Sequence, residues 1–268
     1  MSGIAVCTDS SALFPAGVVA RLDITVVPVQ ITLNGQPHLG REDEIDEFYA
    51  ELAAGASVTT SQPSPGAFLG AYASAAEGGA AEVLSIHLDA RVSGTVASAE
   101  LAAGEAPVPV TVVDTGTVSF GVGACVRAAA DAVAVGGSTN EAVVAARELG
   151  SKLQNVFVAA GGHGGRIGDV SGWAVLELVE GKTQPLAACG GVDEAVELMA
   201  ERIGDAPGRF RAAVGHAGVV TEPAADALAQ SLTRSSRVVE VERYRVGPAV
   251  GAHTGPLSFG AFWWPTAE

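Results

Sequence analysis

Basic residues are scarce in this chain: 15 lysines and arginines stand against 30 aspartates and glutamates, a net charge of -15 over 268 residues. A surface of that sign repels phosphate backbones and anionic lipid head groups, which argues against nucleic acid as a partner. The plainer reading is that the charge keeps an apolar-rich protein in solution. Cysteine is scarce too. Cys7, Cys125 and Cys189 are widely spaced and odd in number, which excludes a disulfide framework and fits a reducing compartment. No apolar run reaches the length of a membrane-spanning helix, and MSGIAVCTDSS at the start has no basic stretch followed by an apolar one, so no secretory leader and no stable membrane insertion are expected. Together these absences predict a soluble, cytoplasmic protein. Several catalytic signatures are also missing: GxSxG, HExxH and CxxC do not occur, GKT at 181–183 lacks the upstream glycines of a phosphate-binding loop, and GGHGGRIG at 161–168 fails the GxGxxG spacing. No metal and no cofactor are expected.

What is present is a large apolar content, 48% of residues, in a chain long enough for two domains with cores of their own. Through the first 155 residues short apolar runs alternate with alanine-rich helical stretches: IAVCT (4–8), ITVVPVQI (24–31), EVLSIHL (82–88) and VPVTVVD (108–114). That rhythm predicts an α/β domain over 1–155 with a mostly parallel sheet. Ser64 followed by Pro65 reads as an N-cap and first-turn pair, and Ser138 with Glu141 has capping-box spacing. From 156 the texture changes: AVLELVE and TQPLAA flank Gly181 and Lys182 as a hairpin would, and helices alternate with strands that can pair antiparallel. The second domain, 156–268, is therefore expected to be mixed α/β.

Five polar clusters carry candidate chemistry, and each has a structural alternative. TDSS (8–11) follows the first strand, where Asp9 suits a helix cap or turn. VTTSQPSPGAF (58–68) places Thr59, Thr60, Ser61 and Gln62 ahead of a helix, as a turn or as donors to an anion. RVSGTVASAE (91–100) follows a strand at the end where open α/β sheets bind ligands; Gly94 permits close approach, and Ser93 and Thr95 sit at a helix start that favours negative charge. Arg166, within the glycine cluster, is either a presented cation or a surface residue on a turn. His253 and Thr254 lie between Gly251 and Gly255 in VGPAVGAHTGP (246–256), and a lone histidine there reads as a packing residue as readily as a ligand.

Taken in order, TDSS, TTSQPSPGAF, SGTVASA (93–99), VVDT (112–115), GGRI (164–167) and VGPAVGAHTGP resemble the DegV family over nearly the whole chain. The resemblance implies a two-domain DegV-like fold with one long-chain fatty acid held between the domains, its carboxylate at the mouth and its tail in an apolar tunnel. It also implies that some such proteins are FakB-type subunits of a bacterial fatty acid kinase in phospholipid metabolism, presenting the acid to an ATP-binding partner that carries the catalysis. Matching motifs assigns the carboxylate to Thr60, Ser93 and His253, with Ser61, Gly94, Thr95 and Thr254 in support and Arg166 as a partner contact. Two hydroxyls and an imidazole N–H suit the several hydrogen bonds that a carboxylate accepts.

The chain departs from the family pattern. FVAAGGHGGRIGDVSGWAVLEL is shorter than usual around GGRI, and PLAACGGVDEA lacks the customary basic stretch. A diverged lipid-binding module without kinase coupling is therefore one alternative, and an acyl hydrolase using Ser93, His253 and Asp9 or Asp114 is another. Without a nucleophile elbow the hydrolase has no support in the motifs. A fluorophosphonate probe is expected to leave Ser93 unlabelled, and labelling of Ser93 would establish the hydrolase.

Overall fold

The computed structural model describes residues 3–159 and 173–266, so Arg166 and the glycine cluster lie outside the described residues. The chain runs β1 (Ile4–Asp9), α1 (Val18–Arg21), β2 (Thr25–Val27), β3 (Gln30–Leu33), β4 (Gln36–His38), α2 (Ile45–Ala53), β5 (Val58–Ser61), α3 (Pro65–Glu77), β6 (Glu82–His87), α4 (Thr95–Ala103), β7 (Val110–Asp114), α5 (Phe120–Ala134) and α6 (Thr139–Lys152). It continues through β8 (Gln154–Val158), β9 (Trp173–Val179), β10 (Lys182–Cys189), α7 (Val192–Gly204), β11 (Phe210–His216), α8 (Glu222–Thr233), β12 (Val238–Arg245), α9 (Pro248–Thr254) and β13 (Phe259–Pro265). Among the described residues this is the mixed α/β fold expected, with one parallel sheet and one mixed sheet.

The first compact unit comprises residues 1–31 and 60–151. Its sheet has the order β2-β1-β6-β7, and every pairing is parallel. Both faces of such a sheet must be covered, because its strands carry apolar residues in continuous runs. On one face Phe68 and Tyr72 of α3 and Ala99 and Ala102 of α4 pack on Cys7, Val27 and Val83. Against the other lies α5, buried from Phe120 to Val126. Gly123 is what lets α5 come close: a Cβ there would overlap the Leu13 carbonyl oxygen. The two helix starts expected from sequence are present. Ser64 Oγ accepts from the Ala67 amide, and Ser138 and Glu141 exchange the reciprocal bonds of a capping box.

The second unit comprises residues 32–59 and 152–268, so the segment 32–59 leaves the first domain to which the 1–155 boundary assigned it. The reason is specific packing of α2 on the end of β12 and on α9. Tyr49 of α2 donates a 2.8 Å hydrogen bond to the Val246 carbonyl, and Arg245 reaches Asp46 at 2.7 Å. The run ITVVPVQI also breaks where one strand was expected. Pro28 offers no amide to a ladder, so β2 ends at Val27 and β3 joins a separate sheet of order β4-β3-β5. Asn34 and Gly35, at φ 50° and 77°, make the two-residue turn between β3 and β4.

The unit's larger sheet has the order β10-β9-β8-β13-β11-β12, antiparallel except between β11 and β12. The expected hairpin is β9 and β10, turned by Glu180 and Gly181 with positive φ at both positions. Met199 and Ile203 of α7 and Leu228 and Leu232 of α8 close its core over Phe210, Phe259 and Trp263. Among the described residues no helix is long and apolar enough to cross a membrane. Because the overlap at Gly123 is with backbone, Gly123→Ala is expected to cost about 2 kcal/mol or more in urea unfolding; an unchanged midpoint would contradict the close approach of α5.

Candidate functional site

The carboxyl ends of β1, β6 and β7 lie side by side in the parallel sheet, and the loops that leave them converge. The Thr115 amide and hydroxyl both donate to the His87 carbonyl, the Asp89 amide donates to the Thr117 carbonyl, and the Leu13 amide donates to the Ser119 carbonyl. Ligands of open α/β sheets bind at this end because the loops and helix N-termini there turn their donors outward.

Two of the sequence-derived loops are brought together. Gln62, just after Thr60 and Ser61, lies across Gly94, so that a Cβ on Gly94 would be 3.1 Å from the Gln62 amide nitrogen. Thr60 and Ser93 are half-buried. Ser61 is exposed and donates to Gln30 at 3.1 Å. Ser93 and Thr95 share a hydrogen bond of 2.9 Å between hydroxyls, and the Thr95 amide donates to Ser93 Oγ. Gly94 occupies the N-cap position of α4 without a side chain to cap it, so Ser93 Oγ, one residue earlier, takes the Thr95 amide instead. The guanidinium of Arg91 is committed to Asp89 by contacts of 2.6 to 2.9 Å. Burial alone would raise the Asp89 pKa, but the Arg91 side chain and amide outweigh it and hold the carboxyl below its ordinary value.

His253 belongs to the second unit, in the last turn of α9. Pro248 opens this helix, and Gly255, at φ 81°, follows its end. The glycines here serve packing: a Cβ on Gly251 would overlap the Tyr49 hydroxyl, while Gly255 supplies the positive φ. Thr254 bonds Ser258 through its hydroxyl at 2.8 Å. His253 is an exposed residue, yet partial desolvation lowers its pKa below 6.5. At neutral pH it is an uncharged donor or acceptor.

Asp9 makes the turn the sequence allowed for it, and caps no helix: it is fully buried, with Oδ1 accepting from the Ser11 amide and hydroxyl and Oδ2 lying 2.7 Å from His87 Nδ1. His87 Nε2 lies 2.7 Å from Ser85 Oγ, which accepts from the Tyr72 hydroxyl at 2.9 Å. Asp9, His87, Ser85 and Tyr72 are each 0% exposed. A carboxylate only accepts, so the bond to Asp9 places a proton on Nδ1. Sequence reasoning passed over this chain, although a serine and a histidine two apart in an apolar strand, EVLSIHL, share one face of that strand. Asp114 accepts from the Gly116 and Ala90 amides. Both carboxylates named for a hydrolase are thus engaged in holding their own loops. Among the described residues no group of three or more metal-ligating side chains occurs.

A profile of the family described as "Uncharacterised protein, DegV family" matches residues 3–266. A DegV domain-containing protein of Streptomyces coelicolor is 36% identical over 275 residues, which cover 96% of each chain. Among solved structures, a DegV family protein from Thermus thermophilus described by its fatty acid binding is 34% identical, with a TM-score of 0.87 over 98% of this chain and 99% of that one. A Thermotoga maritima protein whose structure "reveals fatty acid binding function" is 25% identical, with a TM-score of 0.87 over 98% of this chain and 99% of its own.

Burial beside this network has a measurable pH signature. Desolvation pushes the Cys7 thiol from 9.0 up to about 12, with Ser85 opposing and Asp9 adding to it, and desolvation alone does the same to Cys125. The folded chain keeps protons that the unfolded chain releases, so the thiols' contribution to stability is complete below pH 9 and is lost as pH rises from 9 towards 12. Thermal unfolding followed from pH 8 to 11 is expected to show this decline, and Cys125→Ala to make it shallower. A melting temperature independent of pH above 9 would contradict it.

Proposed function

Because the chain belongs to the DegV family, we propose that it is a fatty-acid-binding protein that holds a long-chain acid by its carboxylate, with Thr60, Ser93 and His253 as hydrogen-bonding partners. The observation that carries this reading is the meeting of the TTSQP and SGT segments at Gln62 and Gly94, at the start of α4, where the N-cap residue has no side chain. Its relatives from Thermus thermophilus and Thermotoga maritima are described as binding fatty acids. The donors in this proposal are neutral, and Arg91, the nearby cation in the SGT loop, is paired with Asp89. The head group is then oriented without being neutralised and stays reactive toward an electrophile. Each buried methylene contributes about 0.8 kcal/mol, so about a dozen carbons supply roughly 10 kcal/mol before ordering costs. The tail dominates affinity and the polar groups select the carboxylate.

In this reading the chain performs no chemistry itself. It works in the cytoplasm and offers the carboxylate to an ATP-binding kinase subunit that forms the acyl phosphate. The lack of a basic stretch after β10, where Asp193 and Glu194 open α7, favours a second version: a carrier that has lost its kinase. Sustained acyl phosphate formation with a kinase subunit and ATP would establish coupling, and none would leave the carrier alone.

Solvent extraction of the purified protein followed by mass spectrometry is expected to release a fatty acid. An empty protein that also fails to take up labelled oleate or palmitate would overturn the proposal. His253→Ala and Ser93→Ala are each expected to weaken oleate binding about tenfold or more, as loss of a hydrogen bond to a charged group does, with the fold intact by circular dichroism. Unchanged affinity in both would remove these residues from the carboxylate site.

A further inference from the structure

We propose that Tyr72, Ser85, His87 and Asp9 form a positioning relay that fixes the Thr60 loop against the Ser93 loop. This inference rests on the fatty-acid reading for its purpose, though not for its geometry. The four groups make one continuous chain of hydrogen bonds of 2.7 to 2.9 Å with no exposed member. Its ends are informative. Tyr72 lies on α3, the helix that begins at Pro65 immediately after the TTSQ segment, and its position therefore sets where Thr60 and Gln62 stand. Ser85 and His87 lie on β6, the strand that leads into the SGT loop. Asp9 ends β1, between β2 and β6, and anchors the chain to the middle of the sheet.

The links run without a gap. Tyr72 donates to Ser85, Ser85 Oγ bonds His87 Nε2, and Nδ1–H donates to Asp9, whose other oxygen holds Ser11. A buried chain with every link satisfied is rigid, because breaking one member leaves others without a partner in a site water does not reach. Phe68, one turn before Tyr72 on α3, packs edge-on against the His87 ring with centroids 4.9 Å apart, which prevents the ring from turning out of the chain. An apolar core would hold α3 on the sheet without fixing how far it slides. The directional bond between Tyr72 and Ser85 fixes that distance, and with it the meeting of Gln62 and Gly94 above.

Amide hydrogen exchange of the ligand-free protein tests the relay directly. Ser85→Ala is expected to speed exchange about tenfold in 59–62 and 93–96, and Tyr72→Phe about threefold, with the six-stranded sheet of the second unit unchanged. Val133→Ala, a truncation at the far end of α5, is the control: it lowers the melting temperature without selective exchange in those two loops. Imidazole nitrogen NMR supplies a second readout that general stability does not move. The protected N–H of His87, identified by its loss in His87→Gln, is expected to shift when oleate is added and to lose its protection in Asp9→Asn. Loops that exchange as in the wild type in both Ser85→Ala and Tyr72→Phe would overturn the relay. A His87 signal unmoved by oleate that does bind would overturn its link to the ligand. Failure of the wild type to bind oleate would instead defeat the fatty-acid reading, and the exchange result would still decide the relay.

Discussion

A carboxylate with no exposed surface at the end of β1 is the constraint on which the first unit depends. An ionised aspartate removed from water is tolerable only when its oxygens are occupied by donors, and Asp9 finds three, from the Ser11 amide, the Ser11 hydroxyl and His87. Meeting that requirement determines much else. The loop after β1 curls back on itself, β6 carries a histidine in a strand otherwise suited to aliphatic side chains, and α3 brings a tyrosine to the serine that the histidine needs. The buried bonds tie together α3, which follows the TTSQ segment, and β6, which leads into the SGT segment. Binding sites gain from such support, since hydroxyls displaced by an ångström no longer converge on one acceptor.

The second unit solves a different problem. Its histidine stands on a helix of seven residues, too short to be stable alone. That helix is held from the side by α2, which belongs to a segment distant in sequence. The Tyr49 hydroxyl bonds the Val246 carbonyl and fills the space left by the missing side chain of Gly251. Residues 32–59 are thus part of what positions His253, although most of the first unit follows them in the chain.

Much of this was legible in the sequence. Strands β1, β6 and β7, the caps at Ser64 and Ser138 and the hairpin at Gly181 follow from local patterns, since alternation, capping and turn chemistry are properties of neighbouring residues. The Asn34–Gly35 turn carried an equally clear local signal that the reading passed over, and Pro28 marked the break between β2 and β3. What local pattern does not contain is pairing over long separations. Asp9 and His87 are 78 residues apart and Tyr49 and Val246 are 197 apart. Each alone reads as an ordinary turn, packing or core residue. The motifs single out Thr60 and Ser93 as candidates, whereas the buried chain of Asp9, His87, Ser85 and Tyr72 needed three dimensions.

The central claim is that the hydroxyl loops and His253 hold a fatty acid by its carboxylate. Carbon NMR of oleate labelled at its carboxyl carbon reads that atom alone. The account predicts a distinct bound resonance in the wild type, moved by both Ser93→Ala and His253→Ala. A bound oleate whose carboxyl signal is indifferent to both substitutions would contradict it.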